Sequence, residues 1–365
     1  MRPDLFKQVL SDKNKIIIAQ IAPAVQVSIG ELFGYEPGTP LYKKLIFALK
    51  KLGVKYVFDT SFGADICVVE ESKEFESRIK QGEFPIINSC CPGTVSFLEH
   101  AYPDLVGNMA TVKSPMEVTG ALIKSYFAEK MNILPDNIFS IAIMPCVIKK
   151  AEALRPELRV KGKLMVDGVI TTKEISEILK ENNIELSKCE DMDFDSLMGT
   201  ASGAGKIFGS SGGVGEAALR NYAYINNLPL EKIDKKNLRG EEGIREITYS
   251  SGKIEFKMLV INSLRNASIL LNDKEKLKKY HFVEIMACLG GCVGGAGQPQ
   301  STKENLEKRR KGLYQIDEGL KLKVPSQNPE IQKLYENYLG SPMSRKAKQL
   351  LHTGFEETCV DCYQN

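Results

Sequence analysis

The sequence predicts an α/β fold of two lobes, each a twisted, mostly parallel sheet flanked by helices. Three observations predict it. Short runs rich in Ile, Val and Met recur along the chain without polar alternation, as strands buried on both faces do. Stretches with helical spacing of apolar residues lie between them, and such alternation implies parallel sheet with helices outside. The length of 365 residues is enough for one large domain or for two lobes around a cleft.

The strands are expected at residues 15–21, 56–58, 139–144, 164–166 and 257–261. Helical patterns cover residues 41–52, 70–80, 118–130, 172–182 and 215–224. Residues 105–113 and 156–163 read as connections, and the charged stretch 300–311 as a solvated surface region. A boundary near residue 135 divides the chain into an N-terminal lobe, 1–135, and a C-terminal lobe, 136–340. Residues 341–365 then form a C-terminal helix and a short cysteine-bearing tail.

Composition excludes several classes. Charge is nearly balanced, with 49 Lys and Arg against 46 Asp and Glu, and no basic stripe interleaves with aromatics, so nucleic acid is not an expected partner. No apolar run approaches the roughly 18 residues that span a bilayer. The start, Met1-Arg-Pro-Asp-Leu5, lacks the apolar core of a signal peptide, so a cytoplasmic protein is expected. Nine cysteines in such a chain argue against a disulfide framework.

Five of those cysteines stand in three separate runs: Asn88-Ser-Cys-Cys-Pro92, Met144-Pro-Cys-Val-Ile-Lys149 and Met286-Ala-Cys-Leu-Gly-Gly-Cys292. Each run follows an apolar strand pattern, and ligands in α/β proteins collect at the carboxyl ends of strands. Soft thiolates gathered from distant positions indicate a metal. Common zinc sites use paired CxxC knuckles or Cys/His mixtures, and the only such pair here is Cys359 and Cys362 at the C-terminus. Iron–sulfur ligation by Cys91, Cys146, Cys288 and Cys292 explains the pattern better, because four thiolates are what a four-iron cluster needs.

Other features have plainer readings. Cys67 and Cys189 read as small buried hydrophobes. The Gly-rich run 199–206 fails as a phosphate loop, since Gly199 is one residue too far from Gly205 and Ile207 stands where Ser or Thr belongs. Its glycines, with Gly209 to Gly213, fit a loop or a close backbone approach. His100, His281 and His352 show no metal spacing. Glu71, Glu74 and Arg78 share one helical face, which on composition alone is a solvated, ion-paired face. Lys149, ordinarily a surface residue, would donate to an anionic ligand if it stood beside a buried cluster.

Taken together, the three cysteine runs resemble the signatures of the H-cluster domain of FeFe hydrogenases, roughly TSCCPxW, MPCxxKxxE and ExMACxxGCxxGGGQP. Supporting matches are Ile21-Ala-Pro-Ala-Val25, Phe62-Gly-Ala-Asp65, Lys113-Ser-Pro115 and Ile207-Phe-Gly-Ser-Ser-Gly-Gly213, so residues 14–355 look like this one domain. The resemblance implies reversible reduction of protons to H2 at a six-iron cofactor in the cleft between the lobes. A four-iron cubane would be held by Cys91, Cys146, Cys288 and Cys292. Cys292 would also link it to a two-iron unit with CO, cyanide and azadithiolate ligands. Ala22, Pro23, Ala24, Ser114, Met144, Lys149, Phe208, Gly209 and Met286 would surround that unit. Cys90 would exchange protons with the bridging amine, and the path would continue through Glu71, Glu74 and Arg78.

Departures from the family pattern are Asn88 for Thr, Thr94 for Trp, Ala296 for Gly, and Ala110 where the proton path has a serine. They point to a divergent subgroup, with water or Thr111 filling the gap at Ala110. Two related classes compete. Nar1-like iron–sulfur assembly proteins lack the first cysteine of the Cys90–Cys91 pair and carry no two-iron unit. Sensory relatives keep the cluster with low activity and an appended domain. The resemblance further implies maturation proteins and an external electron carrier such as ferredoxin. No cysteine precedes Cys67, so a minimal form without accessory clusters is expected. Lys149 and Lys150 near Cys146 suggest a positive approach for an acidic carrier.

Overall fold

A computed structural model describes residues 3–12, 14–252 and 254–355. Cys359 and Cys362 lie outside the described residues, as does the tail expected there. Among the described residues the strands are β1 (Ile16–Ile21), β2 (Tyr56–Asp59), β3 (Ile86–Ile87), β4 (Ile138–Met144), β5 (Gly168–Thr171), β6 (Ile244–Ser251), β7 (Ile254–Asn262) and β8 (Phe282–Met286). They form two four-stranded sheets, ordered β2-β1-β4-β5 and β3-β8-β7-β6. The first is wholly parallel. In the second only the β6–β7 hairpin is antiparallel.

The apolar runs form strands because both faces are buried. In β1, Ile17, Ala19 and Ile21 pack into one core cluster and Ile18 into another. Each such side chain is fully or nearly buried, and truncating an Ile at such a position costs about 2–5 kcal/mol. β6 escaped the apolar-run criterion because it alternates, with Arg245, Ile247 and Tyr249 buried and the residues between them exposed.

Several expectations need correction. Residue 135 does not separate two contiguous lobes. β1 and β2 pair with β4 and β5 across it, and β3 joins a sheet otherwise built from residues 244–286. The strand expected at 164–166 begins at Gly168 instead. The region 300–311 enters a helix, Lys303–Gly319, and Arg309 is fully buried, paired with Glu31 at 2.6 Å. The helical pattern 118–130 becomes an α-helix, Pro115–Leu122, followed by a π-helical turn, Ile123–Phe127. No described helix is long and apolar enough to cross a membrane.

A long helix, Thr60–Gln81, runs through the centre. Asp59 caps it by accepting from the Ser61 N–H at 2.9 Å, and Gly82, at φ 74°, ends it. Gly205 lets the Gly-rich segment pack on this helix, since a Cβ there would lie 2.3 Å from the Ser61 carbonyl oxygen. That glycine serves packing rather than phosphate. β1, β2, β3, β4 and β8 all deliver their carboxyl ends to one region, where the cysteine runs begin.

Candidate functional site

One cavity collects the carboxyl-end loops. Cys90 and Cys91 follow β3, Cys146 and Lys149 follow β4, and Cys288 and Cys292 follow β8; all six residues line it. Ala22, Pro23 and Ala24 reach it from β1, joined by Met144, Phe208, Gly209 and Met286. A Cβ at Gly209 would stand 2.9 Å from Leu313 Cδ1 and 3.2 Å from the Ala24 nitrogen, so this wall closes only with glycine there. Ser114 is the exception. It precedes the helix Pro115–Leu122, its buried hydroxyl has no hydrogen-bond partner, and it faces a separate small pocket with Ser89, Lys113 and Glu152. Its neighbours Pro115 and Met116 line the cavity instead.

The four thiols of Cys91, Cys146, Cys288 and Cys292 make a donor set under electrostatic tension. A hydrogen bond from Cys288 lowers the Cys146 thiol to about 6 against the effect of burial, with help from the Ile148 and Ala296 backbone and Lys149. Donating that bond, together with burial and the neighbouring thiols, pushes Cys288 up. Burial, with Cys91 and Cys146, pushes Cys292 up to about 12. Four thiolates are therefore unfavourable there without a compensating cation, and metal coordination deprotonates thiols outright. Among the described residues no three His, Cys, Asp or Glu side chains converge as a single metal ion would require. The set suits a multi-iron cluster better than a lone ion.

Lys149 is buried and stays charged. Burial opposes its charge, but the Glu152 carboxylate at 2.6 Å prevails and raises it to about 12. Its ammonium also donates to the Cys90 carbonyl at 3.1 Å. Lys150 is ion-paired with Glu174. Neither lysine presents the free positive surface expected from the sequence. The exposed side chains beside the thiols are instead Val147 and Leu289, at 47% and 63% exposure.

Cys90 differs from Cys91 in its company. Asn88 donates from Nδ2 to the Cys90 sulfur at 3.3 Å, and burial followed by the Glu71 charge pushes this thiol up. Asn88 also accepts the Ile285 N–H at 2.7 Å, while Thr94 donates to the Ile285 carbonyl at 3.0 Å. Two departures from the family pattern thus clamp the same residue of β8. Sequence reasoning gave Asn88 no role, and only the pairing of β3 with β8 reveals one.

Glu71 and Glu74 are not on a solvated face; they are 7% and 4% exposed. Burial first, and Glu74 second, raise Glu71 to about 8. One Glu71 oxygen, Oε2, is buried without a hydrogen-bond partner. Glu71, Glu74 and Ala110 share the wall of a small cavity of about 20 Å³, which is room for one water. Arg78 donates to Glu74 at 3.3 Å and to the carbonyls of Met109 and Gly107 at 3.1 and 2.7 Å. Thr111 donates to Glu74 Oε2 at 2.9 Å.

Comparison with known proteins bears on this site. Residues 15–296 match the family of the iron only hydrogenase large subunit, C-terminal domain, and residues 303–358 match that of the iron hydrogenase small subunit. The NADP-reducing hydrogenase subunit of Solidesulfovibrio fructosivorans is 40% identical over 95% of this chain, which spans 61% of that relative's length. The cytosolic iron–sulfur assembly component 3 of Bos taurus is 31% identical over 96% of this chain and 76% of its own length. A solved apo FeFe hydrogenase of Chlamydomonas reinhardtii superposes with a TM-score of 0.85 at 36% identity, covering 99% of this chain and 100% of that one. The chain belongs to the iron-only hydrogenase family, as the H-cluster domain formed by the large subunit's C-terminal part, with the small-subunit segment in the same polypeptide.

Proposed function

We propose that the chain is a catalytic FeFe hydrogenase that interconverts protons, electrons and H2, with electrons from an external cytoplasmic carrier such as ferredoxin. The observation that carries this reading is Cys90. It lines the same cavity as the four ligand-type thiols and is electrostatically coupled to Glu71. A chain that only assembled iron–sulfur clusters would have no use for a spare thiol leading to buried carboxyls.

In this reading Cys91, Cys146, Cys288 and Cys292 would hold the cluster. When bound, the H-cluster supplies the iron at which H2 is made or split and an amine that exchanges protons. Lys149 keeps its charge inside the cavity and donates hydrogen bonds to an anionic ligand. Ala22, Pro23, Ala24, Met144, Phe208, Gly209 and Met286 exclude water by packing small or apolar groups around the site. Ser114 supports the wall from behind.

Cys90 carries the proton between the cavity and Glu71. At neutral pH Glu71 holds a proton, as a relay group between two donors must. One water in the small cavity beside Ala110 bridges Glu71 to Glu74, taking the place of a side-chain hydroxyl. Glu74 passes the proton towards Arg78 and the surface. Insertion of the two-iron unit requires maturation proteins.

The infrared spectrum of protein matured with those partners tests the assignment. CO and cyanide stretching bands are expected; their absence in protein that holds four irons would favour the assembly-factor class. Bands present in a chain without turnover would favour a sensor.

A further inference from the structure

Glu70, next to Glu71 on the long helix, is fully buried, and donors from the small-subunit segment surround it. Tyr335 donates its hydroxyl to Oε1 at 2.6 Å, and the Met343 N–H donates to Oε2 at 2.7 Å. His352 Nε2 lies 3.1 Å from the same Oε2. The other ring nitrogen, Nδ1, lies 2.8 Å from the Thr111 hydroxyl, which is itself 2.9 Å from Glu74 Oε2. A continuous array therefore runs Glu74–Thr111–His352–Glu70–Tyr335. Arg78 approaches Glu74 from the other side.

The backbone holds this array in place. The Lys113 N–H donates to the Leu351 carbonyl and the Thr353 N–H to the Thr111 carbonyl, both at 2.8 Å, so the backbone of His352 is paired with Val112, the neighbour of Thr111. The proton inventory then has two solutions. Glu70 is the acceptor for three groups, which places a hydrogen on His352 Nε2. If Nδ1 also carries a hydrogen, it donates to the Thr111 oxygen, and the Thr111 hydroxyl donates to a Glu74 carboxylate. If Nδ1 is bare, Thr111 donates to it, and a protonated Glu74 donates to the Thr111 oxygen. The two arrangements differ by a concerted shift. One proton leaves Nδ1 for the Thr111 oxygen while the Thr111 proton moves to Glu74 Oε2. No heavy atom moves, and one proton passes from imidazolium to carboxylate.

We propose that His352 is a positioning residue that buffers the proton on Glu74 through Thr111, so the small-subunit segment serves the proton path as a reservoir. This rests on the reading of Glu74 as a relay group. A purely structural His352 would hold Glu70 in place without sensing Glu74.

Nitrogen-15 NMR of the His352 ring, in the protein before and after maturation, separates the two. Coupling predicts that Glu74→Gln and Thr111→Val each change the protonation of Nδ1 at neutral pH, whereas Thr111→Ser, which restores the hydroxyl, does not. In matured protein with electrons in excess, His352→Gln is expected to slow turnover on the order of tenfold, less than the hundredfold or more expected for losing a direct relay group. Its iron content and infrared bands stay at wild-type values. Ring signals that ignore both Glu74→Gln and Thr111→Val overturn the proposal, whatever the turnover. Full turnover in Glu74→Gln would instead overturn the relay reading, and the ring signals would still report whether the coupling exists.

Discussion

Cys90 and Cys91 are adjacent in sequence, and the structure gives them different neighbours, Asn88 and Glu71 acting on Cys90, on which the proposed division of tasks rests. Cys90→Ala is expected to keep its iron and lose at least about a hundredfold in turnover, because a proton-transfer group disappears. Cys91→Ala is expected to lose iron. Iron analysis and gas evolution on the same samples check the pair, and equal iron loss in both contradicts the division. Glu71 supplies a second prediction. Its pKa is raised by burial, from 4.5 to about 8. The unfolded chain therefore releases this proton near pH 4.5 while the folded chain keeps it, so Glu71 lowers stability progressively as pH rises from about 4.5 to 8. Glu71→Gln removes that penalty. Denaturant unfolding should find the variant more stable than the parent at pH 8, by an amount on the order of a few kcal/mol, and the difference should vanish by pH 4. An equal difference at both pH values would contradict the burial of an ionisable Glu71. Ala110→Ser, which places a hydroxyl at the small cavity between Glu71 and Glu74, should maintain or raise turnover; a large loss would show that water there does more than fill space.

At the scale of elements, the cysteine loops are only as well placed as the strands that carry them. Glu284, inside β8, accepts the N–H groups of Gly212 and Gly215 at 2.6 and 2.7 Å, and so ties the strand before Cys288 to the start of the helix Gly213–Ile225. Glu284→Ala strands two buried donors and should cost on the order of 3 kcal/mol, read by denaturant unfolding; a change below about 1 kcal/mol would mean the strand is held by packing alone. Much at this scale was legible in the sequence. The apolar runs at β1, β2, β4 and β7 marked strands because both their faces are buried, and the cysteine runs sat at strand ends as expected. β6 was illegible to that criterion because a hairpin strand at a sheet edge alternates. The carboxyls were misjudged on composition for a related reason. Glu71 and Glu74 have ordinary helical spacing, and it is the packing of β3, β7, β8, the helix Gly213–Ile225 and residues 109–111 over that face that buries them. His352, Thr111 and Glu70 were unreadable as a unit, since residues 282 positions apart meet only through folding.

The whole molecule is one interleaved body rather than two consecutive lobes. Each sheet takes strands from both sides of residue 135, so cutting the chain there would leave both sheets incomplete. The same scale decides how electrons arrive. Lys149 is buried against Glu152 and Lys150 is paired with Glu174, which removes the charge-based approach expected from sequence. The exposed apolar side chains of Val147 and Leu289 flank Cys146 and Cys288, so the carrier proposed above is expected to dock there by apolar contact. Carrier-driven turnover should then change little with ionic strength, because such contact is not screened over the Debye length of about 10 Å at 0.1 M salt. Leu289→Glu should raise the KM for the carrier and leave turnover with a small neutral mediator unchanged; a steep salt dependence in the parent would contradict the apolar docking. The central claim is tested most directly by measuring H2 released by the chain, loaded with its full cofactor, when a chemically reduced low-potential carrier is supplied. Sustained H2 evolution that requires Cys90 is the predicted result, and a fully loaded chain that releases no H2 would contradict the assignment.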